Sequence, residues 1–453
     1  MTNILATIGP ISESTKAIKS IVMKTNLFRL NGSHNKLEWH FNVVKKIRNL
    51  CPNAFILMDI PGIKPRTANS ECISISRNDI ITFGNKKKSS EIIIPLTKPL
   101  PHFNNRLKEF SINDGQYLFE LINSNLNFIT GKSKSNFQLL PKKGLNIPGS
   151  LYDENKQKKV YIDFINNIKD LDIDALGLSF VQTGNLVEEI KKVVPHLLLI
   201  SKIENSEGLK RKNEIIKSSD GIMIDRGDLA AEIGNHFLFN AVEHISEETK
   251  KNGKPLIMAT ENLNSMIDRL QPSKSEIISL GHSLSIGVDC IMLSEETATS
   301  VNFLNTIKWL KNYSKKQFQS LESKKYNFPV FGDNKFPELW SAVRQIEDLP
   351  IVLLSKSGYS LLQAMSLRQS RCITLFTDNK KVINLAKLFR NKINVIKISS
   401  IEKNTSNQIR KCINKYKSLV FDNNKKLIAI YVSHYINKVR ANNFSLFNKD
   451  DFD

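Results

Sequence analysis

Long apolar runs are missing from this chain. None approaches the roughly 18 residues that a membrane-crossing helix needs, so no membrane partner is expected. Cysteine is scarce. The five present (Cys51, Cys72, Cys290, Cys372 and Cys412) are scattered and never in CxxC spacing, which points away from a disulfide framework and toward free thiols in a reducing cytoplasm. The opening residues, Met1-Thr2-Asn3-Ile4-Leu5-Ala6, carry no basic stretch ahead of an apolar one, so no secretory leader is expected. Acidic residues are outnumbered: 65 Lys and Arg face 44 Asp and Glu, a formal charge of +21. Such a surplus suits either a nucleic-acid footprint or a lysine-rich surface that attracts small anions. The basic residues are spread over the whole chain in short runs, so phosphorylated small molecules rather than nucleic acid are the expected partners.

At 453 residues, 41% of them hydrophobic, the chain is an ordinary globular composition too long for one core, and two to three domains are expected. Its organising pattern is a repeated unit: a short β-rich apolar run that ends in polar residues and leads into a helical stretch. The unit occurs at Asn3–Pro10, Asn26–His34, Ala54–Gly62, Ala175–Gln182, Leu197–Asn205, Gly221–Leu229, Pro255–Leu263 and Asp289–Thr297. Eight such strands alternating with helices such as Asn185–Val194 and Asn235–Lys251 are what a closed parallel (β/α)8 barrel requires.

The expected fold is therefore an α/β barrel over 1–68 and 144–315, with two additions. Residues 69–143 read as short strands and turns, an inserted β-barrel lid domain in the third βα loop. Beyond the barrel, Pro350–Ser355, Cys372–Thr377 and Val395–Ile398 restart the strand pattern, giving a C-terminal α/β domain over 325–441 with its own open sheet. The polar end, Asn442–Asp453, is expected to fray.

Barrel chemistry sits at C-terminal strand ends, and Asp59, Lys202, Glu204, Asp228, Thr260 and Glu296 all fall there. Polar residues follow any buried strand into solvent, but several carboxylates and a lysine at one mouth exceed that explanation. Lys202 and Glu204 are two apart on one strand, so alternation turns them to the same face. Glu204 and Asp228 are a natural carboxylate pair for a hard divalent cation, or else two solvated loop acids. Gly227 and Asp228 open a helix, whose N-terminal amides suit an anion.

The blocks ATIGP (6–10), RLNGSH (29–34), KKGLNIPG (142–149), SKIENSEG (201–208), SDGIMIDRGDLAAEI (219–233), GKPLIMAT (253–260) and GVDCIMLSEETA (287–298) together resemble the pyruvate kinase family, in order and spacing. The resemblance implies transfer of a phosphoryl group from phosphoenolpyruvate to ADP, giving pyruvate and ATP, with Mg2+ or Mn2+ on Glu204 and Asp228. It implies Lys202, Arg29 and Arg66 on the phosphoryl group, Gly227 and Asp228 on the substrate carboxylate, and Thr260 beside the enol carbon. Pro10 and His34 match nucleotide-site positions, and Asp114-Gly115 falls where the family's lid reaches inward. Asn31, Ser33 and Asp59 match a potassium pocket, but Lys64 stands where potassium-dependent members carry glutamate. It resembles members whose ammonium replaces the ion, so K+ is not expected to be required. The turn Ser355-Lys356-Ser357-Gly358-Tyr359-Ser360 resembles an effector phosphate loop or is an ordinary βα turn; Ser355, Ser357, Gly358 and Ser360 are its candidate contacts. Family members are usually tetramers.

Departures from the pattern are also legible. Pro61, with Ile60 before it, replaces a lysine, Ala230 a glycine, Glu261 a glutamine and Glu295 a glycine; His282 and Ser279 stand where Asn and Asp are usual. Asp225 occupies a position where a small residue normally precedes Arg-Gly-Asp. Asp225, Glu261 and Glu295 add acid near a site for anions, which weakens phosphate binding unless a cation or a changed substrate compensates. A working phosphotransferase, one with a different acceptor and a non-catalytic relative all remain open on these residues.

Overall fold

The computed structural model describes residues 2–84, 92–103, 107–322, 343, 349–366, 371–390, 392–401, 405–421, 427–436 and 439–452. Strands β1 (Asn3–Thr7), β2 (Leu27–Asn31) and β3 (Phe55–Ile60) begin a closed barrel. After an insertion it is completed by β12 (Ala175–Leu178), β13 (Leu198–Ile203), β14 (Gly221–Asp225), β15 (Leu256–Ala259) and β16 (Cys290–Leu293). Every pairing around it is parallel, including the closing pair of β1 and β16, so all eight carboxyl ends face one mouth.

Closure follows from the residues. Side chains alternate across each strand: Leu5 packs inside the barrel while Ile4 and Ala6 pack outward against the helices, and Leu57 and Met58 divide the same way. The helices are amphipathic and capped by their own sequence. Ser14 accepts from Ala17 N, Thr183 from Leu186 N, and Ser273 with Glu276 forms a capping box.

The insertion carries β4 (Ile73–Ile75), β5 (Ile80–Gly84), β6 (Ile92–Ile94), β7 (Glu109–Ile112), β8 (Tyr117–Ser124), β9 (Phe128–Ser133), β10 (Phe137–Leu139) and β11 (Leu145–Asn146). Among the described residues these make a two-stranded ribbon and a six-stranded sheet ordered β11-β7-β8-β9-β5-β6. The sheet has its own core, in which Phe83, Phe110 and Phe119 pack edge-on and stacked.

The C-terminal sheet consists of β17 (Ile351–Leu354), β18 (Ile373–Thr377), β19 (Ile393–Lys397), β20 (Leu427–Ile436) and β21 (Val439–Asn448), ordered β19-β18-β17-β20-β21. The start expected for this region, residue 325, lies outside the described residues. The chain end corrects the sequence reading. Instead of fraying from Asn442, residues 439–448 pair antiparallel with β20, and Lys449–Phe452 make a 3-10 turn. Backbone hydrogen bonding to a neighbouring strand outweighed the polar side chains there.

Candidate active site

Lys202 and Glu204 leave the end of β13 on one face, as their spacing requires, with Lys202 Nζ 2.6 Å from Glu204 Oε1. Both are buried. Glu204 Oε2 accepts from the Phe180 amide at 2.7 Å, which Phe180 presents from a left-handed conformation (φ 60°). Apart from that ammonium, Glu204 Oε1 has no donor.

Asp59 ends β3 in register with Asn31 of β2 and Gly177 of β12. A Cβ on Gly177 would stand 2.0 Å from Asp59 Oδ1, so only glycine admits the carboxylate there. Arg29 grips Asp59 Oδ2 through Nε and Nη2 at 2.9 and 2.7 Å, and Lys202 stands 3.9 Å from the same oxygen. Burial alone would raise the Asp59 pKa, but Arg29 and Lys202 outweigh it and hold the group below its ordinary value.

Asp225 ends β14 beside Ala259 of β15. Its Oδ1 accepts from Thr260 Oγ1 at 2.9 Å and its Oδ2 lies 3.5 Å from Lys202 Nζ. Thr260 and Glu261 both have left-handed backbones (φ 55° and 50°), a conformation costing about 1–3 kcal/mol per residue. The Arg226 guanidinium holds that turn, donating to Thr260 O at 2.7 Å, Glu261 O at 2.8 Å and Asn262 Oδ1 at 2.9 Å, and to Ser279 Oγ at 2.6 Å. Sequence reading overlooked Arg226, although it is the arginine of the Arg-Gly-Asp block. Ser279 thus braces Arg226, and His282 contacts Glu243 at 2.6 Å.

Thr260 does not cap a helix of its own. Its hydroxyl accepts from Gly227 N at 3.2 Å, at the start of the helix Arg226–Ile233. The amide expected to meet a substrate carboxylate therefore already has a partner within the site. Asp228, on the first turn of that helix, pairs with Lys64, which also lies 3.4 Å from Asp114. Lys64 is buried, and no ion pair among the described residues joins it to Asp59. Burial lowers the Lys64 pKa, but Asp228 and Asp114 more than reverse this; Asp228 in turn is held low by Lys64 against its own burial.

For Lys202, burial opposes the charged form, but Glu204, Asp59 and Asp225 raise its pKa well above the ordinary value. Burial pushes Glu204 up even against the Lys202 ammonium, with Asp225 and Asp228 adding to the rise. Both groups therefore hold protons more tightly than usual, as expected where carboxylates outnumber nearby cations.

Of the other expected site residues, Arg66, Ser33, His34 and Pro10 are exposed, and Asn31 is half-buried. Arg66 donates to Lys142 O at 3.2 Å, and Asn31 Oδ1 accepts from Ser33 N at 3.1 Å. The His34 ring, though its residue stays exposed, loses part of its water to the surrounding atoms, which lowers its pKa, and Arg66, Arg29 and Lys142 lower it further. Glu296 does not join the mouth. Its buried carboxylate accepts from Leu263 N at 3.1 Å and Ser294 N at 2.7 Å, tying two loops together. In the C-terminal sheet, Ser355 Oγ accepts from Gly358 N at 3.1 Å and Gly358 has φ 84°; Ser357 is exposed, and Ser360 is buried with its hydroxyl unpartnered.

Glu204, Asp225 and Asp228 each offer one oxygen, all within 4.8 Å of one another. Three hard oxygen donors at that spacing fit a divalent cation such as Mg2+ or Mn2+. Sequence reading named Glu204 and Asp228 and treated Asp225 only as surplus charge.

Lysine, arginine and carboxylates converge at the carboxyl mouth of the (β/α)8 barrel, an arrangement that suits a kinase-type phosphotransferase. The family description "Pyruvate kinase, barrel domain" matches residues 1–306. The pyruvate kinase of Encephalitozoon cuniculi is 31% identical over 69% of this chain and 74% of its own length. That of Thermotoga maritima is 27% identical over 87% and 88%, and that of Dictyostelium discoideum 26% over 88% and 80%. The chain belongs to the pyruvate kinase family.

Proposed function

We propose that the chain transfers the phosphoryl group of phosphoenolpyruvate to ADP, giving pyruvate and ATP, as a cytoplasmic enzyme of glycolysis that assembles as a homotetramer. The observation that carries this reading is the buried Lys202 ammonium set between Glu204, Asp225 and Asp59 at the barrel mouth. Phosphoryl transfer needs positive charge and in-line alignment more than covalent help from the protein. Glu204 and Asp228 would hold Mg2+ or Mn2+, which supplies further positive charge to the phosphoryl oxygens when bound.

Lys202, Arg29 and Arg66 balance the three oxygens of the moving group. The P–O bond of the enol ester breaks as a bond to a terminal phosphate oxygen of ADP forms. The electron pair left on the enolate then takes a proton at carbon, and the Thr260 hydroxyl is the group that passes it. The Gly227–Asp228 turn receives the substrate carboxylate once Thr260 releases the Gly227 amide, and His34 and Pro10 border the nucleotide.

In this reading the barrel comprises 1–68 and 144–315, the insert 69–143 is a lid, and the chain from 325 is a separate domain whose sheet runs past the expected end at 441 to Asn448. Asp114, 3.4 Å from Lys64, marks where the lid meets the mouth and excludes water. Lys64, paired with Asp228, supplies the charge that potassium brings in other members, so K+ is not required.

Formation of pyruvate from phosphoenolpyruvate and ADP, assayed with and without divalent metal and against Lys202→Met, tests the reading. Metal-dependent turnover absent in the variant is expected; no pyruvate above the variant with either Mg2+ or Mn2+ defeats it. Asp225 and Glu261 favour one second reading, a phosphotransferase with another acceptor, which a screen of acceptors with phosphoenolpyruvate or ATP as donor detects.

A further inference from the structure

We infer that Asp225 is a third carboxylate ligand of the divalent metal, so that this chain holds the ion by protein groups alone before any phosphorylated substrate arrives. The inference rests on the metal reading of Glu204 and Asp228.

Three observations support it. First, an oxygen of Asp225 lies within 4.8 Å of oxygens of both Glu204 and Asp228. Two ligands of one ion with bonds of about 2.0–2.6 Å stand no more than about 4–5 Å apart, so the three fit one ion. Secondly, the formal charges do not balance. Asp59, Glu204, Asp225, Asp228 and Asp114 carry five negative charges against three positive ones on Arg29, Lys202 and Lys64, a net of −2 across two neighbouring groups of ion pairs. Without Asp225 the net is −1, so the extra acid deepens a deficit that a divalent ion cancels, which an anionic substrate needs. Thirdly, the buried Asp59 Oδ1 has no hydrogen-bond donor, and Glu204 Oε1 has the Lys202 ammonium alone, 2.6 Å away. Native proteins rarely leave buried carboxylate oxygens unserved unless an ion or water completes them.

The consequence is an order of binding. Mg2+ sites built on two carboxylates usually depend on substrate phosphates to complete them. A third fixed carboxylate makes ion binding largely independent of substrate. The competing role for Asp225 is to position Thr260 through the 2.9 Å hydrogen bond. The isosteric Asp225→Asn variant separates the two, because its amide oxygen still accepts from Thr260 while the charge is gone. Neither substitution removes a helix cap, since the Asp225 side chain makes no capping bond.

The test is direct titration of the full-length chain with Mn2+, following free Mn2+ by electron paramagnetic resonance without phosphoenolpyruvate or nucleotide. Circular dichroism confirms that each variant is folded. Asp225→Ala and Asp225→Asn are expected to weaken Mn2+ binding by about 10- to 100-fold. Unchanged affinity in Asp225→Asn overturns the inference and leaves Asp225 a positioning residue, with the metal reading intact. Failure of the wild type to bind Mn2+ in the titration overturns it as well. If pyruvate formation is then still metal-dependent, the proposed function survives that result; if it is not, the proposed metal site falls too.

Discussion

The two ends of the barrel use the same chemical group for opposite purposes. Asp174, Asp220 and Asp289 each stand immediately before a strand (β12, β14 and β16) at the amino-terminal end. Each accepts from a backbone amide of the neighbouring strand, at Ile56, Leu199 and Leu256, at 2.9 Å. Each also meets a base: Arg48 at 2.9 Å, Lys381 at 3.0 Å and Lys250 at 2.5 Å. The C-terminal region docks on the same end, where Asn384 donates to Asp174 at 2.7 Å and the Arg390 amide to Asp289 at 3.3 Å. These carboxylates are satisfied, and they hold the barrel together. At the other end Asp59, Glu204, Asp225 and Asp228 crowd around too few cations, and the buried Asp59 Oδ1 has no donor. Barrel folds place stability at one face and chemistry at the other, and here the difference is visible as satisfied against unsatisfied acid.

Breaking the mouth should cost the most in rate. Lys202→Met is expected to lower kcat by at least about 10²–10³-fold, the scale of losing one fixed charge-stabilising group. Circular dichroism should show the fold retained; a variant that unfolds would place Lys202 among the structural groups instead. Breaking the base should cost stability. Asp289→Ala leaves Lys250 buried without its carboxylate, so a loss of about 3–5 kcal/mol in denaturant unfolding is expected, with KM unchanged in the remaining folded enzyme. A lost turnover with unchanged stability would erase the contrast between the two ends.

Glu232 sharpens the comparison with a smaller effect. It lies on the helix Arg226–Ile233, buried with both oxygens unpartnered, and burial raises its pKa to about 8. Because the folded value exceeds the unfolded one, folding retains the proton, and wild-type stability falls as pH climbs from the ordinary carboxylate range through about 8. Glu232→Gln lacks that loss, so its advantage in thermal melts should grow between pH 5 and pH 8 by at most about 1.4 kcal/mol per pH unit. A constant difference across that range would show a group that is ionised when folded. The smallest effect expected concerns potassium. With Lys64 already paired to Asp228, turnover should be the same in K+ as in tetramethylammonium, and a large stimulation by K+ would refute the substitution of an ammonium for the ion.

Much of the mouth was legible because its signals are local. Lys202 and Glu204 share a strand, and two-residue alternation alone puts them on one face. Arg29, Asp59 and Thr260 close apolar runs whose direction follows from the repeat. The lower ring of Asp174, Asp220 and Asp289 had a comparable signal, an aspartate just ahead of each apolar run, and went unread because attention lay on carboxyl ends. Arg226 was hidden by its motif, in which Gly227 and Asp228 drew the functional reading. The final strand, 439–448, was missed because its polar residues carry no period-two apolar stripe; its place depends on the partner strand 427–436.

The order of apolar runs determined the barrel, its direction and hence which end bears chemistry, since buried parallel strands joined by helices close in only one sense. Tertiary structure alone decided which charges became partners. Asp225 meets Thr260 and Lys202, and Lys64 meets Asp228, across separations of 35, 23 and 164 residues. Those meetings depend on strand register and loop path, and a difference of one residue in register would turn each side chain to the opposite face.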